Sequence, residues 1–401
     1  MTKIGQNQPE TPARIEPALL EDVGTDLMDV VAELAAAAET LGKGLHPATA
    51  ANLADVVRIM NTYYSNLIEG HNTRPHDIAR ALAGDLDENP ERRDLQIEAA
   101  AHVRVQAEID RQGRDGKLEE PANTDFIRRL HREFYRGASD EMLTVRNGKR
   151  AWRLKPGEWR SRAEQDVAVG RHVPPSSGRV PAFMEYFQKR YQLEKMGKGT
   201  RILAIAAAHH RFNYIHPFPD GNGRVSRLMS HAMGYYAGID AHGLWSISRG
   251  LARGLKSRTD YKQMMDHADV PRQGARDGRG NLSERALKEF TQWFLSVCLD
   301  QVKFMSSLFE IDALARRLRS YVERSNDLAP ETANLLEEAL VRGEIERGAA
   351  ARITGLPERT ARRVLNDAVR AGLLGSATPK APVSLRFPDD ALDALFPRLY
   401  V

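Results

Sequence analysis

Residues His216-Pro217-Phe218-Pro219-Asp220-Gly221-Asn222-Gly223-Arg224-Val225-Ser226-Arg227 bring together a base, a carboxylate, a glycine turn and two arginines. Such a set can hold the phosphates of a nucleotide and move one of them. Gly221 and Gly223 flank Asn222, and these residue types tolerate positive φ. A turn of this kind aims several backbone N–H groups at one point and forms an anion nest. Arg224 to Met229 then reads as a helix start, whose N-terminus adds unpaired N–H groups and partial positive charge. Taken singly, an Asp-Gly-Asn-Gly run is an ordinary turn and a lone histidine is more often structural. A plain turn does not require His, Phe, Asp and two Arg at fixed offsets around it.

The elements that must position these residues are helical. Asp26 to Leu34 has apolar residues at helical spacing. After a break at Gly42 to Pro47, a second helix runs through Leu53, Val56, Val57, Met60 and Tyr64, with Gly70 as its stop. Thr73 is expected to cap the next helix, with Pro75 in its first turn. Helical patterns continue over Leu95–Gln112, Thr124–Tyr135, Pro181–Tyr191 and Arg201–Tyr214, the last alanine-rich and core-like. Between Gly137 and Pro181, glycines and prolines punctuate a long loop, in which Asp166 to Val173 suggests a short hairpin. Beyond the motif, helices are expected near Leu228–Tyr236, Tyr261–His267 and Ser283–Phe309. The predicted fold class is all-α with one small hairpin and a C-terminal module.

The motif matches His-x-Phe-x-(Asp/Glu)-Gly-Asn-Gly-Arg-x-x-Arg and resembles the signature of the Fic (Fido) family at every defined position. His210-Arg211-Phe212-Asn213-Tyr214-Ile215 resembles the helix before that signature. Pro156-Gly157-Glu158-Trp159-Arg160 resembles the family's Pro-Gly-x-x-Arg segment. The resemblance covers roughly residues 18 to 300 and implies transfer of AMP from ATP to a protein hydroxyl, with release of pyrophosphate. His216 would be the general base, neutral at pH 7 at an ordinary pKa near 6.5. Asp220 would hold Mg²⁺, a hard cation that favours oxygen ligands. Gly221, Asn222 and Gly223 would cradle the phosphates, and Arg224 and Arg227 would offset charge on the β and γ groups. Phe218 would bury and fix the loop. Tyr261 falls where family members place a tyrosine near the adenine. Ser65-Asn66-Leu67-Ile68-Glu69-Gly70 resembles the family's inhibitory motif. Ser65 and Glu69 share one helix face, and Glu69 would pair with Arg227 where the γ-phosphate should sit. The expected hairpin stands where the family carries a flap that positions the target by strand-edge pairing.

Composition bounds the rest. The 401 residues are 42% hydrophobic and 28% charged, which suits two or three soluble domains. A net charge of +4 does not make the whole chain a polyanion binder. Cys298 is the only cysteine, which removes any intrachain disulfide and fits a reducing cytoplasm. No apolar run approaches the ~20 residues of a membrane span, and the polar N-terminus does not read as a secretory signal. His209, His210, His216 and His231 lack zinc spacing, and Gly197-Lys198-Gly199-Thr200 lacks the P-loop pattern.

The expected organisation is a disordered arm at 1–17 and a helical region carrying the inhibitory motif at 18–120. A catalytic core follows at 121–310, then a helical linker at 311–330 and a winged helix-turn-helix at 331–401. In the last segment, a Gly-containing turn at Gly355 separates two helices, and Leu373–Phe387 would supply the wing. Arg359, Arg362, Arg363 and Arg370 give the second helix a basic face. Glu337, Glu338, Glu344, Glu346, Asp389 and Asp390 roughly cancel the bases, which argues against strong nonspecific DNA binding. DNA contact, protein docking and a homodimer all stay open, as does self-modification. Two rival functions also stay open: removal of AMP or transfer of another phosphate group at the same site, and a nucleotide-sensing DNA-binding regulator. A purely sensory core would not need the base His216.

Overall fold

The computed structural model describes residues 9–147 and 150–400. It is mostly helical with little strand. Its contacts divide the chain into two compact units. The first comprises Asn61–Asp240 and Ser246–Gln301 together with the N-terminal residues to Ala38. The second comprises Glu39–Met60, Ala241–Trp245 and the chain from Val302 onward.

In the first unit, α1 (Thr25–Thr40) buries Leu27, Val31 and Leu34. Helix α2 (Pro47–Ile68) belongs to this unit from Asn61 on. It stops at Gly70, whose φ of 89° lets the Gly70 N–H reach Leu67 O (3.1 Å) and the His71 N–H reach Asn66 O (2.9 Å). Helix α3 (Pro75–Leu82) has Arg74 at its N-cap, without a side-chain cap, so Thr73 lies one residue too early to serve. Helices α4 (Pro90–Arg114) and α5 (Thr124–Phe134) are capped by Asn89 and Asn123, whose side chains accept first-turn N–H groups.

The hairpin lies upstream of its expected place. Strands β1 (Thr144–Asn147) and β2 (Arg150–Arg153) pair antiparallel, with Thr144 opposite Arg153. Residues 166–173 form only one bridge, Val169 with His172, around Gly170. Pro174 and Pro175 follow at once and have no N–H with which to extend a ladder.

Helix α6 (Val180–Arg190) leads to α7 (Lys198–Ile215), which is buried on nearly every side and packs along α8 (Asn222–Ala237). An alanine-rich helix without a polar face is what such a central position selects. The unit closes with α9 (Ile247–Arg253), α10 (Asp260–Ala268) and the first part of α11 (Glu284–Phe309). Ser283 caps α11 by accepting the Ala286 N–H (3.1 Å).

The expected disordered arm is ordered over its described part. Residues 12–15 form a 3-10 turn in which Arg14 and Ile15 are fully buried. Arg14 donates to Tyr214 Oη (3.0 Å) and to Val173 O, and Arg211 donates twice to Pro17 O. The composition of this stretch suggested disorder, but buried arginines and carbonyls elsewhere in the chain give it partners that no local pattern reveals.

In the second unit, α12 (Ile311–Arg324) packs along α13 (Thr332–Arg342) through buried Leu314, Leu318 and Val322. Strand β3 (Glu344–Ile345), α14 (Ala350–Thr354), α15 (Glu358–Arg370), β4 (Leu374–Gly375) and β5 (Val383–Leu385) follow. The sheet is antiparallel in the order β3-β5-β4. Early α2 serves this unit: Thr49 Oγ1 donates to Leu340 O (2.9 Å) and Asn52 Nδ2 to Leu385 O (2.9 Å). Among the described residues, no helix is long and apolar enough to cross a membrane.

Candidate active site

The loop 216–221 joins the two most intimately packed helices, α7 and α8, and both its ends are left-handed. His216 sits at φ 51°, ψ 60° as the C-cap of α7, and Gly221 at φ 78°, ψ 5° as the N-cap of α8. Glycine takes this conformation freely, but a histidine pays about 1–2 kcal/mol for it, so the surroundings must hold His216 in place.

Arg160 does so. Its Nε donates to His216 O (2.7 Å) and its Nη2 to Ile215 O (3.1 Å) and Pro175 O. Its Nη1 reaches Ser177 Oγ (3.0 Å) and Asp166 Oδ1 (3.2 Å), and its backbone N–H reaches Pro217 O (2.9 Å). Burial lowers its guanidinium to about 10, with Asp166 acting the other way. Replacing Arg160 with methionine would leave several buried carbonyls without a donor, at about 1–3 kcal/mol each. A fall of several degrees or more in Tm is expected by calorimetry, and an unchanged Tm would contradict the clamp.

Asn222 holds the loop from inside. Its Oδ1 accepts the Phe218 N–H and its Nδ2 donates to Phe218 O, both at 2.8 Å. The side chain expected in the phosphate cradle is therefore engaged with the loop backbone, and only its N–H belongs to the first turn of α8. No side chain caps that turn. Phe218 is fully buried, stacked on His131 with ring centroids 3.8 Å apart.

His131 received no role from the sequence, yet it reads the loop directly. Its Nδ1 accepts the Gly157 N–H (2.8 Å), which leaves Nε2 to donate to Asp220 O (3.2 Å). Burial lowers its pKa to about 4, so this neutral tautomer persists at neutral pH. Tyr135 donates its hydroxyl to Asp220 Oδ2 (2.8 Å) and aims a carboxylate that is otherwise exposed. His216 is half-buried. Burial first, and Arg160 next, lower its pKa to about 4, while Asp220, Glu69 and a backbone bond at Asn213 act in the opposite sense.

The two arginines are buried and both are paired. Arg224 meets Glu98 (2.8 Å) and His71 Nδ1 (3.1 Å), and its Nε makes no hydrogen bond among the described residues. Arg227 is held by α2 and the residue that follows it: Nε donates to Ser65 Oγ (2.9 Å), and Nη2 to Ser65 O (3.2 Å) and Glu69 Oε1 (2.6 Å). The Glu69 carboxylate lies against Gly223 so closely that a Cβ there would collide with it. Burial raises the Glu69 pKa, but Arg227 and then Arg224 outweigh it, and the carboxyl stays below its usual range. An anion thus already lies at the N-terminus of α8.

Tyr261 enters from α10. Its hydroxyl bonds His209 Nε2 (2.8 Å), and His209 Nδ1 bonds Ser230 Oγ (2.9 Å). The ring borders a cavity of about 210 Å³ lined also by Leu67, Ile68, Leu251, Arg258 and Lys262. The structure therefore gathers His216, Asp220, Gly221, Gly223, Arg224 and Arg227 at one helix end, with Ser65 and Glu69 against it. Of the residues that carried no role, Arg160 had a signal, the Pro-Gly-x-x-Arg segment. His71, Glu98, His131 and Tyr135 sit among ordinary helical or loop patterns and offered none.

Fold and site together define a helical protein whose anion-binding turn is served by a histidine and two arginines. Residues 121–233 match the Fic/DOC family model. A segment of 85 residues is 36% identical to a protein named protein adenylyltransferase Fic from Drosophila ananassae, covering 21% of this chain and 16% of that protein. The counterpart from Drosophila melanogaster is 35% identical over 85 residues, 21% of this chain and 17% of that protein. The match thus spans about a sixth of these relatives' length. A solved Fic family protein from Desulfovibrio desulfuricans G20 superposes with a TM-score of 0.53 at 19% identity, covering 92% of this chain and 98% of that one. A Fic domain containing signaling protein from Bacteroides thetaiotaomicron gives 0.51 at 20% identity, covering 71% and 96%. Residues 121–233 thus resemble the Fic/DOC family, and the helical fold is similar to that of the two solved structures.

Proposed function

We propose that the chain is a protein adenylyltransferase held inactive by its own Glu69. The observation that carries this reading is the Glu69 carboxylate at the N-terminus of α8, paired with Arg227 and pressed on Gly223. That is where the first-turn N–H groups and an arginine fork would otherwise take a phosphate.

In the released state, ATP lies with its phosphates on the α8 N-terminus and its base at the cavity bordered by Tyr261. His216, neutral at pH 7, takes the proton of a target hydroxyl. The oxygen bonds to the α-phosphorus, the α–β bridging bond breaks, and pyrophosphate leaves with the electron pair. The negative phosphates beside His216 favour the imidazolium that forms. Arg224 and Arg227 offset charge on the leaving group, so most of the catalysis is positioning and electrostatics.

The donor set suits Mg²⁺: a single exposed carboxylate, Asp220, oriented by Tyr135 and next to the phosphate turn, leaves most ligands to phosphate and water. Bound with ATP, Mg²⁺ would neutralise phosphate charge. The test uses ATP labelled at either the α or the γ phosphate, with Mg²⁺ and the Glu69→Gly chain. Protein-bound label is expected from the α position alone, and label from the γ position alone would refute AMP transfer.

A further inference from the structure

The acids and bases of the chain beyond residue 330 nearly cancel. Along the helix Glu358–Arg370 they do not, because four arginines stand there against two acids. Glu337 is held by Arg319 (2.7 Å), Glu338 by Arg342 (2.8 Å) and Arg352 (3.1 Å), and Asp367 by Arg370 (3.0 Å). Arg347 is turned inward onto Ala381 O and Ser376 Oγ. Arg359, Arg362 and Arg363 are exposed and make no ion pair among the described residues. Helix α15 therefore carries three exposed arginines without an ion pair among the described residues.

Arg359, Arg362 and Arg363 stand three and four residues apart and lie on one face, which Asn366 and Arg370 continue. Ala361, Val364, Leu365 and Ala368 bury the other face. Helix α15 follows α14 across Gly355, at φ 72°. The turn joining β4 to β5 carries exposed Lys380. Helix, turn and outward-facing second helix form the geometry that enters a major groove.

We propose that the outer face of α15 docks duplex DNA, with Arg359, Arg362 and Arg363 on phosphates and groove edge and Lys380 on flanking backbone. A protein partner fits this face poorly, because the face offers no apolar or aromatic residue to build the desolvated core of an interface. No exposed position of α15 is apolar: they are Glu358, Arg359, Arg362, Arg363, Asn366 and Arg370. Guanidinium forks match phosphate oxygens in pairs. Glu358, in the first turn, complements the helix dipole.

The test is fluorescence anisotropy of the full chain with a short labelled duplex of mixed sequence, titrated across salt. Salt-dependent binding is expected, with log K falling linearly in log salt. The triple Arg359→Gln, Arg362→Gln, Arg363→Gln chain is expected to lose about three units of that slope, and Lys380→Gln about one. Circular dichroism and Tm of the triple variant should match the parent, since the replaced side chains are exposed. If the triple variant misfolds, Arg359→Gln alone, with an expected loss of about one unit, decides. No binding at low salt, an unchanged slope, or a dimer that the triple variant dissociates without any DNA affinity overturns the proposal.

Discussion

Replacing Glu69 by glycine is expected to raise AMP incorporation about 10- to 100-fold, read by intact-mass spectrometry of the chain after ATP and Mg²⁺. The size follows from the coupling free energies usual between competing ligands, about 1–3 kcal/mol. Glu69 is tethered four residues beyond Ser65 on the same helix face, so it competes with phosphate at high effective concentration. Three acceptors at the end of α2 and just beyond it fix Arg227: Ser65 Oγ, Ser65 O and Glu69 Oε1. Glycine removes only the last. The two bonds to Ser65 keep the guanidinium in place, and its Nη2 becomes available to the nucleotide. Glu69→Gln is the sharper control. It keeps the shape and removes the charge, so it should release inhibition only in part. Equal incorporation by the parent and the Glu69→Gly chain would end the inhibitory reading while leaving AMP transfer itself intact.

His216→Ala, built on the Glu69→Gly background, is expected to lower incorporation by about 10²- to 10⁴-fold, the usual share of general-base catalysis. ATP affinity should change little, because His216 makes no part of the α8 first turn. Measuring nucleotide binding separately keeps the two effects apart. Alanine should also leave the fold intact: Arg160 grips the His216 carbonyl, not its ring. A variant that still incorporates AMP at the parent rate would transfer the proton by another route, and the base would have to be sought elsewhere. A variant that loses nucleotide binding as well would make His216 a structural residue.

The elements of this fold were legible where local physics sets them. The Gly42–Pro47 break and the stop at Gly70 each follow from the conformational preference of glycine or proline. The hairpin was misplaced because β-branched Val167, Val169 and Val173 suit an extended loop as well as a strand, and Pro174 and Pro175 end the ladder. The arm was misread because its polar composition resembles unfolded chain, whereas buried Arg14 and the Pro17 carbonyl find partners some two hundred residues away.

Chain spacing already grouped the candidate site residues: His216, Asp220, the glycine turn, Arg224 and Arg227 lie within one loop and the helix start after it, where neighbours in sequence are neighbours in space. It also placed Ser65 and Glu69 on a single helix face. Only the tertiary structure decided what each of these groups meets. It put Glu69 on Arg227 and Gly223, gave Arg224 the carboxylate of Glu98, turned Asn222 onto the loop backbone, and made Arg160 and His131 the supports of the turn. It also left Arg359, Arg362 and Arg363 exposed together on one face of α15. The reason is common to all of them. Charge pairing and burial depend on distance in space, and a chain that folds back over a hundred residues or more sets those distances only when its helices pack.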